Sequence, residues 1–332
     1  MQPALVKLQN RQSLTAAEMT GAMEAIVTGG AADDEIERFL TGLREKGETV
    51  TEITAAARVM RAHAVRLTKE FPDLVDTCGT GGDAKHTLNV STLASIVIAA
   101  AGARVAKHGN RSVSSYCGSA DLLEMLGIPI ELEVSGIERM IEEKNFGFFF
   151  APRFHPAMRY AMSVRKRIQG KTIFNILGPL ANPAGAARQL IGVYEAGLVE
   201  KVARALAELG SEKALVVHGE DGIDEISIGA PTTAAELSGG SVKLFRFSPA
   251  DFGIAPNEIR HLRCDSKEHA LEAARRVLGG EEGPHSDIVA LNAAAGLFVA
   301  GRTDSIKEGF EVCRGTLRSG KAARKAEELA AK

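Results

Sequence analysis

The chain contains no tryptophan, and only 5% of its 332 residues are aromatic. Surfaces that stack nucleic-acid bases need such rings, so this composition disfavours that class of protein. An excess of one charge is also missing, because 40 lysines and arginines stand against 42 aspartates and glutamates, for a net charge of −2. Non-specific nucleic-acid binding relies on a basic excess. We therefore expect no nucleic-acid partner.

Cysteines and long apolar runs are scarce as well. The four cysteines lie far apart along the chain, which favours reduced thiols over a disulfide framework or a zinc site. No apolar run reaches the roughly 20 residues that cross a bilayer, and no charged-then-apolar leader opens the chain. We expect a cytoplasmic protein with no membrane partner.

The composition that remains, 45% hydrophobic and 25% charged, is typical of a globular protein with one large or two smaller domains. Residues 1 to about 70 are predicted to form three helices. Two of these helices begin at capping boxes, Thr15-x-x-Glu18 and Thr49-x-x-Glu52.

The pattern changes at Pro72, where short apolar runs begin to alternate with glycine-rich loops and helical segments. This alternation predicts an α/β fold with a parallel sheet. Helices are predicted at 91–101, at 198–209 and through Ala300, and strands at 74–78, 104–106, 189–194, 213–218 and 287–291. The segment 172–183, broken by Gly-Pro and Asn-Pro, is interpreted as a crossover that returns a helix to the N-terminal bundle.

Two loops have the composition of anion sites. In GTGGD, residues 79–83, glycines let backbone N–H groups approach a phosphate, although a tight strand-to-helix turn explains them equally well. In KHGNRSVSS, residues 107–115, cations and hydroxyls offer many donors to a multiply charged anion. We expect the second loop to be mobile and to close over a bound anion.

Carboxylates and hydroxyls suggest a magnesium site. Asp224 and Glu225 follow a predicted strand on what we expect to be a surface loop, and adjacent carboxylates there can hold Mg²⁺. The alternative is a solvated acidic turn. Ser91, in NVST at 89–92, could add a hydroxyl ligand, while N-capping of the next helix also explains that motif.

His155 and Arg165 are candidate acceptor-site residues. His155 could act as an acid, a base or a polar wall, and a structural role is the alternative. Arg165 could pair with a substrate carboxylate, whereas a surface cation is the alternative.

Taken together, the motifs at 79–83, 89–92, 107–115, 155–158 and 178–183 resemble, in this order, those of the anthranilate phosphoribosyltransferase family of tryptophan biosynthesis. The resemblance covers nearly the whole chain. It implies a small N-terminal helical bundle domain and a large α/β domain with a mainly parallel central sheet. The bundle would comprise residues 1–71 with a returning segment at about 168–190, and the α/β domain residues 72–167 and 191–332. It also implies a homodimer formed through the bundle.

The resemblance implies two substrates and Mg²⁺, with no general base assigned. The metal would be held by Ser91, Asp224 and Glu225, and anthranilate by Gly79, Asn110, His155, Arg165 and Pro179. Residues implied for 5-phosphoribosyl 1-pyrophosphate (PRPP) are Gly79, Gly82, Asp83, Thr87, Asn89, Val90, Ser91, Thr92, Lys107, His108, Gly109, Asn110, Arg111, Ser112, Val113, Ser114, Ser115 and Ser119.

This chain departs from the usual family pattern at Ala84, at Tyr116-Cys117 and at Gln169. Two alternatives to the phosphoribosyl transfer stay open at this point. One is a pyrimidine nucleoside phosphorylase, which shares the architecture and uses inorganic phosphate as acceptor. The other is a nucleic-acid-binding paralogue, which would need a long basic groove.

Overall fold

The computed structural model of the chain describes residues 1–112, 116–168 and 170–331. The strands are β1 (Val75–Gly79), β2 (Val105–Gly109), β3 (Phe146–Phe150), β4 (Arg188–Gly192), β5 (Lys213–Gly219), β6 (Thr232–Ser238) and β7 (Ser241–Phe247). The helices are α1 (Gln2–Gln9), α2 (Ala16–Val27), α3 (Asp33–Lys46), α4 (Val50–Ala62), α5 (Val90–Ala100), α6 (Ser119–Met125), α7 (Val134–Lys144), α8 (Ala151–Phe154), α9 (Arg159–Arg167), α10 (Ile173–Leu180), α11 (Gly197–Glu208), α12 (Lys267–Leu278), α13 (Pro284–Val299), α14 (Ile306–Arg318) and α15 (Lys321–Ala330).

The N-terminal segment is helical, as predicted. Both capping boxes form, with Thr15 accepting from the Glu18 N–H and Thr49 from the Glu52 N–H. The prediction of three helices is wrong, because the described residues include a fourth, α1, before the first capping box. That helix has only eight residues, which is too short for apolar periodicity to stand out in the sequence.

The central sheet has the strand order β3-β2-β1-β4-β5-β6-β7. Neighbouring strands from β3 to β5 are parallel, and β6 and β7 add an antiparallel edge. Gly239 and Gly240 join β6 to β7 with φ of +55° and +77°, the left-handed conformation of a two-residue hairpin turn. A mainly parallel sheet with a helical bundle confirms the predicted fold class.

One predicted strand is wrong, because residues 287–291 belong to the helix α13. This helix is buried on all sides, from Ile288 through Leu297. A helix without a polar face has no amphipathic period, so its apolar run resembles that of a buried strand.

Two large apolar cores lie on the two faces of the sheet. One unites α5, α13 and α14, and the other unites the N-terminal helices with α10 and α11. Ile173, Phe174 and Leu177 of α10 pack in the second core, beside side chains of α2, α3 and α4. The crossover therefore contacts the N-terminal helices, while β4, from Arg188, pairs within the sheet. The division of the chain into domains stays a prediction.

Candidate functional site

The topology of the sheet marks one place on it for a ligand. The chain leaves β1 toward β2 on one side, and β4 lies on the other side of β1. Parallel sheets bind ligands at such a switch point, beyond the carboxyl ends of the strands. Here those ends are Gly79 and Gly192, which are register partners.

These two glycines leave room for the loop that carries the carboxylates. A Cβ at Gly79 would overlap Asp224 Oδ2, and a Cβ at Gly192 would overlap the Asp224 carbonyl oxygen. Any side chain at either position would displace Asp224. Sequence reasoning missed Gly192, although a glycine inside the strand predicted at 189–194 was a usable signal.

Hydrogen bonds bring together three motifs that are distant in sequence. Asp224 Oδ2 accepts the Gly81 N–H at 2.7 Å, and Glu225 Oε1 accepts the Ser91 N–H at 3.0 Å, in the first turn of α5. A helix N-terminus favours an anion through its free N–H groups and its dipole. Asp224 and Glu225 are half-buried at the glycine-rich loop, which disfavours the alternative of a solvated acidic turn.

The carboxylates of the site are costly to ionise. Burial, reinforced by the nearby Asp83 carboxylate, raises the pKa of Asp224 to about 7. Burial and then Asp224 itself raise the pKa of Glu225. A cation at this place would relieve the repulsion and hold both groups ionised.

The donor set suits Mg²⁺ bound together with a substrate. Within the described ranges no three His, Cys, Asp or Glu side chains form a metal-binding group by themselves. Mg²⁺ is commonly held by one or two carboxylates, with phosphates and waters completing its shell. Asp224 and Glu225 supply the carboxylates that such a site requires.

Lys107, expected in a mobile loop, lies in strand β2 with His108 and Gly109. Its side chain is buried, and Nζ donates to the Thr77 carbonyl oxygen at 2.7 Å and lies 3.5 Å from Ser91 Oγ. Burial lowers its pKa, an effect that Asp76 opposes. The expectation of a mobile loop is therefore wrong for residues 107–109, although Lys107 does reach the first turn of α5.

His108 projects to the opposite face of the sheet, because side chains alternate along a strand. Its Nδ1 lies 3.1 Å from the Gly178 carbonyl oxygen, and its ring centroid lies 5.1 Å from that of His155. Burial lowers the pKa of His108 to about 3 and that of His155 to about 4. Both rings are neutral near pH 7, so neither serves as a cationic acid there.

The rest of the second loop is only partly described. Arg111 contacts Glu124 at 2.7 Å and Asp121 at 3.4 Å, so this cation already has carboxylate partners. Asn110 exchanges hydrogen bonds with Ser119 Oγ at 3.1 Å in both directions. The Ser112 N–H donates to Asp121 Oδ2. Val113, Ser114 and Ser115 lie outside the described residues.

The other PRPP candidates surround the glycine-rich loop and the start of α5. Asp83 Oδ1 accepts the Lys85 N–H, and the backbone of Thr87 forms an isolated antiparallel β-bridge with that of Arg263. Asn89 precedes α5 without a side-chain cap, because its amide donates to the Cys117 carbonyl oxygen instead. The remaining candidates are Gly82, at a φ of +76°, and the buried Val90 and Thr92.

Of the acceptor candidates, Arg165 is the most distinctive. It is half-buried on α9 and lies 5.2 Å from the centroid of the Phe174 ring. Burial lowers its pKa, and no ion-pair partner occurs among the residues that the structure covers. Pro179 lies inside α10, and its carbonyl oxygen accepts from Gln189.

Sequence reasoning missed two buried polar residues near the site. Asp76 is completely buried in β1, where it accepts the His108 N–H at 3.3 Å. Asn292 is completely buried in α13 and bonds to Ile226, the residue after Glu225. A charge inside an apolar strand and an amide inside an apolar helix were the available signals.

Comparison with known proteins agrees with this architecture. Residues 2–64 match the glycosyl transferase family, helical bundle domain, and residues 71–323 match the glycosyl transferase family, a/b domain. Over 98% of its length the chain is 50% identical to anthranilate phosphoribosyltransferase of Alkalilimnicola ehrlichii, covering 97% of that protein. Another relative, from Thioalkalivibrio sulfidiphilus, is 48% identical over 99% of the chain and 97% of its own length.

Solved structures give the same result. The anthranilate phosphoribosyltransferase of Thermus thermophilus matches with a TM-score of 0.91 and 42% identity, over 98% of each chain. The enzyme of Saccharomyces cerevisiae in complex with PRPP and Mg matches with a TM-score of 0.89 and 27% identity, over 98% of this chain and 96% of that one. Among the described helices, none has the length and apolar character to span a membrane.

Proposed function

The chain belongs to the anthranilate phosphoribosyltransferase family, and from this premise we propose how its residues perform the reaction. The enzyme transfers the phosphoribosyl group of PRPP to the amine of anthranilate, a step of tryptophan biosynthesis. A bond forms between the amine nitrogen and C1 of the ribose, and the bond from C1 to pyrophosphate breaks. The nitrogen loses a proton, giving N-(5-phosphoribosyl)anthranilate and pyrophosphate.

The donor binds at the carboxyl ends of β1 and β4. The observation that carries this assignment is the convergence of Asp224 and Glu225 on the N–H groups of Gly81 and Ser91. The glycine-rich loop and the first turn of α5 thus meet the acidic loop at one point. Further N–H groups of the loop can hold phosphate oxygens there, because glycines permit close approach.

Asp224 and Glu225, with Ser91, would hold Mg²⁺ at the pyrophosphate. When bound, the cation neutralises the negative charge that develops on the leaving group. The raised pKa values of both carboxylates support this role, since burial and the neighbouring carboxylates make their ionisation costly until a cation binds. Lys107, within 3.5 Å of Ser91 Oγ, adds a fixed positive charge on the same side of the sheet.

Arg165 orients the acceptor through the anthranilate carboxylate. A half-buried guanidinium with no carboxylate partner among the described residues is prepared for an anionic ligand, because it has lost part of its hydration already. Asn110, His155, Pro179 and Gly79 complete the acceptor site in this proposal. The positioned amine needs little activation, since the ribose C1 is strongly electrophilic once pyrophosphate begins to leave.

The two alternatives are disfavoured. The relatives named above are anthranilate phosphoribosyltransferases rather than nucleoside phosphorylases. A nucleic-acid-binding paralogue would need a basic groove, and the carboxylate-rich site at the switch point offers the opposite charge.

An assay of anthranilate fluorescence tests the function directly. We expect the fluorescence to fall when the enzyme receives PRPP and Mg²⁺ and to stay constant when EDTA removes the metal. Thymidine with inorganic phosphate should yield no thymine. Cleavage of thymidine without consumption of anthranilate would overturn the assignment in favour of the phosphorylase.

We propose further that the enzyme is a cytoplasmic homodimer that associates through the helical bundle. Val6 on α1 is 57% exposed and Met162 on α9 is 38% exposed, which are large values for apolar side chains. All four cysteines are free thiols, as expected in a reducing compartment. Light scattering coupled to gel filtration tests the dimer, and a wild-type mass of one chain would contradict it.

A further inference from the structure

The buried helix α13 contains an amide side chain, Asn292, that forms hydrogen bonds outside its own helix. Asn292 is completely buried, and its Oδ1 accepts the Ile226 N–H at 2.9 Å. Its Nδ2 donates to the Ile226 carbonyl oxygen at 3.0 Å and to the Ile288 carbonyl oxygen at 2.9 Å. Both amide hydrogens are used, so the side chain has one well-defined orientation.

An asparagine amide has the same donor and acceptor as a peptide group, so Asn292 pairs with Ile226 as a neighbouring strand would. Across the described ranges, neither backbone group of Ile226 has another hydrogen-bond partner. Ile226 is itself completely buried, where an unpaired backbone group is costly. The position of this residue therefore depends on Asn292.

Ile226 directly follows Glu225, whose carboxylate accepts the Ser91 N–H of α5. Helices α5 and α13 pack against each other in one core. Glu225 is thus held from two sides, at its carboxylate by α5 and at the following peptide by α13. A shift at Ile226 would move the carboxylate relative to the glycine-rich loop.

We propose that Asn292 is a positioning residue, which holds the Asp224–Glu225 segment in the geometry that binds a divalent cation together with PRPP. The inference rests on the proposed metal role of those carboxylates. Groups that orient metal ligands typically change metal affinity by about 10- to 100-fold when they are removed.

The test measures cation binding without turnover. Mn²⁺ is titrated into the full-length enzyme with saturating PRPP and no anthranilate, and the bound fraction is read by electron paramagnetic resonance. We expect Asn292→Ala to raise the Kd for Mn²⁺ by about 10-fold or more. Asn292→Asp keeps the shape but loses the amide donors to the Ile226 and Ile288 carbonyl oxygens, and it decides the question if the alanine variant does not fold.

Val299→Ala is the matched control, because it removes buried atoms from the same helix about two turns beyond Asn292. Unchanged Mn²⁺ affinity in the Asn292 variants, or an equal loss in Val299→Ala, would overturn the positioning role. Asp224→Asn with Glu225→Gln is measured in parallel. If that double variant still binds Mn²⁺ normally, the metal site of the proposed function is wrong, which is a different failure.

Discussion

Two groups of charged side chains, one buried in the bundle and one half-buried at the sheet edge, differ in how completely the protein satisfies their hydrogen-bonding and charge requirements. In the helical bundle, Glu52 is completely buried and accepts hydrogen bonds at 2.8 Å from Leu14 N, Thr49 N and Lys46 Nζ. Lys46 is buried beside it and also donates to the Gly47 carbonyl oxygen. Here each charge has its counter-charge and its donors or acceptors.

At the carboxyl edge of the sheet the balance is different. Asp224 and Glu225 accept one N–H each from the neighbouring motifs, and the Asp224 carboxylate adds to the burial that raises the pKa of Glu225. The nearby cation, Lys107, directs its shorter contact to a backbone carbonyl rather than to a carboxylate. The charges in the bundle are paired with each other and stabilise the fold, whereas the carboxylates at the sheet edge can still bind a cationic ligand.

The largest expected effect is on the stability of the bundle. Glu52→Gln removes the carboxylate that contacts Lys46 Nζ at 2.8 Å, so we expect the free energy of unfolding to fall by about 3–5 kcal/mol in urea titrations. Michaelis constants for both substrates should not change. Glu18→Gln alters the equivalent, exposed capping box and should have a much smaller effect, so similar losses in both variants would contradict the comparison.

The next effect is on turnover. Asp224→Asn with Glu225→Gln should reduce kcat by on the order of 100-fold or more, about 2.7 kcal/mol of barrier. The free energy of unfolding at pH 7 should not fall, because the substitution removes repulsion. Glu220→Gln, in the same segment but paired with Arg246, is the control. Near-normal turnover of the double variant at low Mg²⁺ would refute the metal assignment.

A smaller effect is expected at the acceptor. Arg165→Ala removes hydrogen bonds to a charged group, which contribute ~1.5–3 kcal/mol. The Michaelis constant for anthranilate should therefore rise by the factor that corresponds to this loss of binding free energy. The constant for PRPP should change little. Arg167→Ala, on the same helix but paired with Asp33, serves as the control. Equal rises for both substrates would reassign Arg165 to the donor site or to the fold.

The smallest effect concerns pH. The folded pKa values of His108 and His155, about 3 and about 4, lie below the ordinary value of 6.5, so the unfolded chain binds more protons between those limits. The stability they contribute is complete above pH 6.5 and is lost as the pH falls. We expect the contribution of each histidine to the free energy of unfolding to fall by ~1 kcal/mol by about pH 5.5.

Unfolding titrations at several pH values measure this loss. His155→Gln should show a weaker decrease in stability between neutral and acidic pH than the wild type. His261→Gln, at an exposed position, is the control for the substitution itself. An unaltered pH profile in His155→Gln would mean that this ring is not held neutral by burial.

The sequence by itself determined the features that depend on near neighbours. The helices after Thr15 and Thr49 begin where their capping boxes predict, because each box links residues three apart. Short apolar runs predicted β1, β4 and β5, and the motifs identified the family. Such signals lie within a few residues of the structure that they specify.

Only the tertiary structure decided how charge and burial are distributed. Asp224 meets Gly81 across 143 positions and Glu225 meets Ser91 across 134. No local sequence pattern could therefore predict that those carboxylates lie half-buried at the switch point. Lys107 lies in a strand because β2 pairs with the distant strand β3, in which Phe148 is its register partner. Residues 287–291 form a helix whose apolar side chains lie in a core built from distant segments. Burial results from the packing of the whole chain. Burial shifts the pKa of an ionisable group, and the groups packed around it decide whether its charge is paired within the protein or available to a ligand.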